Sequence, residues 1–116
     1  MLNSELLVMI TIEEINKFKS KYNDCCKKHK DISEKLQRLS NSLNGEISDE
    51  LKKYGKESKD LYKQLCESQS KYREACKSYV NDKLASMEEI EREIFHKEND
   101  DNMRTDNWEP VLNALL

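Results

Sequence analysis

Residues 12–43 read IEEINKFKSKYNDCCKKHKDISEKLQRLSNSL, and within them Ile15, Phe18, Tyr22, Cys25, His29, Ile32, Leu36, Leu39 and Leu43 recur three and four positions apart. That period puts all nine on one side of an α-helix. A second run, Leu51, Tyr54, Ser58, Leu61, Leu65, Ser68, Tyr72, Ala75 and Tyr79, keeps the same spacing after a polar break at Asn44-Gly45. Two such stripes cover each other when their helices lie side by side. Paired in opposite directions from Leu43 with Leu51 to Ile15 with Tyr79, the residue numbers sum to 94 or 93 at each of nine rungs. An antiparallel register therefore holds throughout, and large residues meet small ones, as Phe18 meets Ala75, the complementarity that knobs and holes require. At 1.5 Å per residue the paired stretch would be roughly 45 Å long.

Local chemistry marks the ends. Thr11-Ile12-Glu13-Glu14 has the form of a capping box, which sets a helix over 12–43. Asn44 and Gly45 tolerate the left-handed conformation that ends a helix, and Ser48-Asp49-Glu50 supplies a cap and an acidic first turn for the next. The expected domain is thus a hairpin over 1–98, with a turn at 44–48 and a second helix over 49–98, because the apolar spacing continues through Val80, Leu84, Met87, Ile90 and Ile94 until the cluster Asn99-Asp100-Asp101-Asn102. Gly55, early in that helix, costs about 1 kcal/mol relative to alanine. Residues 99–116 are expected to form an acidic linker and a short amphipathic helix, with Trp108, Val111, Leu112, Leu115 and Leu116 on one face and Pro110 in its first turn. The fold class is all-α: an antiparallel coiled-coil hairpin with a short C-terminal helix.

Composition agrees. Charged residues make up 37% and apolar ones 36% of the 116 residues, with two glycines and one proline, the balance of solvated helices and not of a turn-rich sheet protein. No apolar run reaches the roughly 18 residues of a membrane span, and the run Leu6 to Ile10 has no basic residue before it as a signal peptide would. Four cysteines, two adjacent at Cys25 and Cys26, suit reduced thiols in a cytoplasmic protein better than a secreted disulfide scaffold.

Charge is unevenly spread. Residues 15–83 hold 17 Lys and Arg against 11 Asp and Glu, whereas residues 84–116 hold 3 against 9. Solvated helix faces with neighbouring ion pairs account for most of this. The lysine clusters Lys17, Lys19, Lys21 and Lys27, Lys28, Lys30, and the series Lys52, Lys53, Lys56, Lys59, Lys63, also suit weak attachment to an anionic bilayer, at about 1 kcal/mol per lysine. Nucleic acid is a poorer partner, since the whole chain is acidic and has no basic-aromatic motif.

A second stripe, Tyr62, Cys66, Gln69, Cys76 and Val80, flanks the hairpin seam, and one partner helix cannot cover both. Either the C-terminal segment or another protein, including a second copy of the chain, is expected to dock there. Tyr62, Cys66, Cys76 and Val80 are therefore candidate partner-binding residues, as are Trp108, Val111, Leu112 and Leu115 should the C-terminal segment serve as a docking peptide. Chemical sites find less support. Cys25, Cys26 and His29 lie within one turn, with Cys66 opposite, but Cys25 and His29 already fit the seam, so neither zinc nor any other metal or cofactor is expected. A cysteine–histidine nucleophile needs a pocket and an orienting group that two helices do not supply. His96 reads as a favourable charge near a helix C-terminus. The chain is expected not to be an enzyme.

The stretch from Glu50 to Lys63, followed by Ser70-Lys71-Tyr72-Arg73-Glu74-Ala75-Cys76-Lys77, resembles the lysine-rich helical text of F-BAR domains, with Lys71, Tyr72, Ala75, Cys76 and Lys77 carrying the likeness. The resemblance covers about a quarter of the chain, and no counterpart of the N-terminal homology segment of such domains is found. It implies a cytoplasmic, dimeric helical module whose lysines, here Lys27, Lys28, Lys30, Lys52, Lys53, Lys56, Lys59 and Lys63, hold anionic, curved membranes. The expected function is a scaffolding coiled coil that self-associates in a trafficking or cytoskeletal assembly, with the membrane module as the alternative.

Overall fold

The computed structural model describes residues 10–42 and 48–116. The described residues form four helices and no strand: α1 (Ile12–Ser42), α2 (Asp49–Ala85), α3 (Glu89–Arg104) and α4 (Trp108–Leu115). The fold is all-α, with α1 and α2 making a long helical hairpin and α4 the short C-terminal helix. Leu43, the Asn44-Gly45 turn and the apolar run of residues 2–9 lie outside the described residues.

Both helix starts follow from their caps. The Glu14 amide donates to Thr11 Oγ1 at 3.1 Å and the Thr11 amide to Glu14 Oε1 at 3.4 Å, a reciprocal capping box. At α2 the Leu51 amide donates to Ser48 Oγ at 3.1 Å. No stripe residue from Ile15 to Leu39 or from Leu51 to Tyr79 is exposed.

The chain divides into two compact units, one of residues 19–70 and one combining the residues up to Phe18 with 71–116. In the first unit the paired segments of α1 and α2 bury Cys25, Ile32 and Ser68. The Ser68 hydroxyl donates to the Leu65 carbonyl at 2.9 Å, which satisfies it. Leu36, Leu39, Tyr54, Leu61 and Leu65 are only half-buried. Ile32 and Leu61, expected to share a rung, both line an open pocket of about 250 Å³ together with Lys28, Asp31, Lys35 and Glu57. Side chains close the flanks, with the His29 and Tyr62 rings 5.5 Å apart and Lys35 Nζ 4.4 Å from the centre of the Tyr54 ring.

The second unit holds most of the core. Ile15 from the start of α1, Tyr72, Ala75, Cys76, Val80 and Leu84 from α2, and Trp108, Val111 and Leu112 from α4 are all buried. Fully burying each of the larger apolar side chains contributes about 1.5–3 kcal/mol.

The expected single helix over 49–98 is corrected: α2 stops at Ala85 and α3 begins at Glu89. No proline or glycine marks the break. Ser86 folds back, its hydroxyl donating to the Lys83 carbonyl at 2.8 Å, while the Met87 amide reaches the Leu84 carbonyl at 3.1 Å and Glu88 is extended. Arg92 Nε then donates to the Leu84 carbonyl at 2.9 Å and Nη2 to the Met87 carbonyl at 2.8 Å. A cationic fork thus satisfies carbonyls that continued helix would have satisfied. The cluster Asn99 to Asn102, expected to end a helix and open an acidic linker, lies inside α3.

Two leucines of the C-terminal segment test where the core stops, since Leu112 is 4% exposed and Leu116 71%. Leu112→Ala should lower the free energy of urea unfolding by about 2–5 kcal/mol, and Leu116→Ala by about 0.5 kcal/mol or less. Equal losses would contradict the docking of α4 by its Trp108–Val111–Leu112 face.

Candidate interaction surfaces

The turn that delivers α4 is built from backbone geometry. The Asn107 amide donates to the Asn102 carbonyl at 2.8 Å and the Asp106 amide to the Met103 carbonyl at 3.3 Å, the paired bonds of a Schellman ending. That motif needs a left-handed residue, and Asp106 takes it with φ at 60°. Aspartate tolerates this conformation better than most side chains but not freely. Its carboxylate is used at once: Oδ1 accepts from the Trp108 indole N–H, and Oδ2 lies 3.2 Å from Arg73 Nε on α2. The Arg73 contact is an ion pair without hydrogen-bond alignment, and both side chains are nearly half-exposed, so it contributes little.

Two further contacts bind α4 to α2. The Tyr72 hydroxyl donates to Glu109 Oε2 at 2.6 Å, and Lys77 Nζ sits 5.8 Å from the centre of the Trp108 ring. Burial, reinforced by the bond to Glu109, raises the Tyr72 phenol well above the ordinary tyrosine range, because ionising it would bury a negative charge against a carboxylate. α3 packs on α4 but buries none of its own residues.

These placements split the expected docking residues. Cys76, Val80, Trp108, Val111 and Leu112 are buried within their own unit, and Leu115 is half-buried. Of the two expected covers for this stripe, the C-terminal segment is the one that folds onto this part of α2. Tyr62 and Cys66 remain exposed, Tyr62 to 56%, and the Tyr62 phenol is held above its usual range by hydrogen bonding to Cys66 one turn along. The periodicity missed one exposed surface, because it assigned Ile90 and Ile94 to a continuing seam. They are 65% and 52% exposed on α3.

Lys27, Lys28, Lys30, Lys52, Lys53, Lys56, Lys59 and Lys63 are all exposed. Among the described residues no group of three or more His, Cys, Asp or Glu is placed to hold a metal ion, and Cys25, Cys26, Cys66 and Cys76 form no disulfide. Nor is any described helix long and apolar enough to cross a membrane. His96 is exposed in the middle of α3, which runs on to Arg104, so its expected place at a helix C-terminus is corrected.

Asp106→Asn keeps left-handed tolerance and an acceptor for Trp108, and should cost about 1 kcal/mol or less. Asp106→Ala keeps neither and should cost about 2 kcal/mol or more in thermal or urea unfolding; a smaller loss for alanine would refute the role of this turn. Because the Tyr72 phenol is raised in the folded state, its contribution to stability is complete below the unfolded tyrosine value of about 10 and is lost as pH climbs beyond it. Ultraviolet titration should therefore show, among its late phenol steps, one that is accompanied by loss of native structure, and Tyr72→Phe should remove that step. Comparison with family models, curated proteins and solved structures gave no match.

Proposed function

We propose that the chain is a non-enzymatic coiled-coil scaffold that self-associates within a trafficking or cytoskeletal assembly. The observation that carries this reading is the poor burial of residues 19–70, where Cys25 and Ile32 are the only buried apolar side chains among the described residues, while Tyr62 is left 56% exposed. A two-helix layer of that kind gains stability from another helical layer laid over it. The half-buried stripe residues offer apolar area for such an addition, and the charged flanks suit a polar interface rim.

A second reading keeps one observation of its own. The eight lysines from Lys27 to Lys63 that suit a bilayer all face solvent, as an F-BAR-type membrane module would need for holding anionic lipid.

Light scattering and vesicle co-sedimentation separate the two. The scaffold reading expects a mass above that of one 13.7 kDa chain at micromolar concentration and no salt-sensitive binding to vesicles containing phosphatidylserine. Binding to such vesicles at low salt, with release at moderate salt, would replace it with the membrane reading whatever the mass.

A further inference from the structure

The Ile90–Ile94 face of α3 and the Tyr62 face of α2 belong to different helices, and each exposes large apolar side chains. Their charges are opposite. α3 carries six acidic residues against three basic ones, and two of those acids, Asp100 and Asp101, are matched by Arg104 at 3.9 and 2.9 Å. Arg92 is occupied by backbone carbonyls. The charges one turn from the isoleucines are Glu91, Glu93 and Glu98 against Lys97, all exposed and without an ion pair among the described residues. Residues 52–63 of α2 carry five lysines against Glu57 and Asp60, and Lys59 and Lys63 beside Tyr62 are likewise exposed without an ion pair among the described residues.

Gly55 adds a steric argument. It lies seven residues before Tyr62, on the same face of α2, and an added methyl group there would meet nothing within 4 Å. A glycine inside a helix weakens it, and nothing among the described residues requires this one. The open space beside it leaves room for the close approach of another chain. An isoleucine strip laid along Gly55 and Tyr62 would use that space.

Resting on the self-association proposed above, we infer that the Ile90–Ile94 strip of α3 docks on the Gly55–Tyr62 strip of α2 in a second copy of the chain. Charge selects this cross-pairing over the alternatives. Two α3 strips laid together would oppose an excess of carboxylates, with Lys97 the one cation among them, two α2 strips would oppose an excess of lysines, and the mixed contact sets Glu93 and Glu98 against Lys59 and Lys63.

Sedimentation velocity on the full chain at low salt tests this, with circular dichroism to confirm that helix content is kept. Lys59→Glu with Lys63→Glu should weaken self-association about tenfold or more, and adding Glu93→Lys with Glu98→Lys to the same chain should restore it. Gly55→Leu should weaken association while leaving the thermal midpoint of the isolated chain unchanged or higher, because leucine is the better helix former. If the wild-type chain associates and none of these variants alters it, the strip assignment is overturned while the scaffold reading stands. If the wild-type chain stays monomeric throughout, self-association itself fails, and the strip assignment with it.

Discussion

A helix carries one apolar stripe, and two helices laid together shield only the stripes that meet. Everything else on their surfaces needs a third element or must be polar enough to face water. This chain meets the constraint differently in its two units. Residues 71–85 of α2 sit in a unit that also contributes Ile15 and the Trp108–Val111–Leu112 face, so that Cys76 and Val80 become fully buried. Among the described residues, 19–70 form a unit of α1 and α2 segments only. Their stripes keep an unbroken spacing, yet most stripe residues there stop at half-burial.

The polar contacts around α4 fix its position more than they supply its stability. Tyr72 to Glu109, Arg73 to Asp106 and Lys77 over Trp108 all engage the first turn of α4 or the residue two before it. An eight-residue helix is too short to persist by itself in water. It is held because its apolar face is buried, and Asp106 aims that face by accepting a backbone conformation that most side chains avoid.

Features that depend on local chemistry are legible in the sequence. The capping box at Thr11 and Glu14, the Ser48 cap, the two stripes and the amphipathic face of residues 108–115 each involve residues a few positions apart whose side chains state their role. The break at 86–88 is not legible, because no helix breaker stands there and the apolar spacing runs across it. Arg92 holds the break through a fork that meets backbone carbonyls, and carbonyls leave no mark in a sequence. The Tyr72–Glu109 pair spans 37 positions with nothing nearby to announce it. The second stripe's need for cover can be read from its period, but periodicity does not say which of its residues the C-terminal segment takes, and so does not separate Cys76 and Val80 from Tyr62 and Cys66.

The unequal division of burial is tested most directly by amide hydrogen exchange, followed residue by residue at two protein concentrations. At high dilution, residues 71–85 and 108–115 should exchange slowly and residues 25–39 and 51–68 markedly faster, with protection of the latter rising as concentration increases. Equal and concentration-independent protection of both regions would show that the hairpin is sufficient by itself, and would contradict the proposed cover of residues 19–70 by a further helical layer.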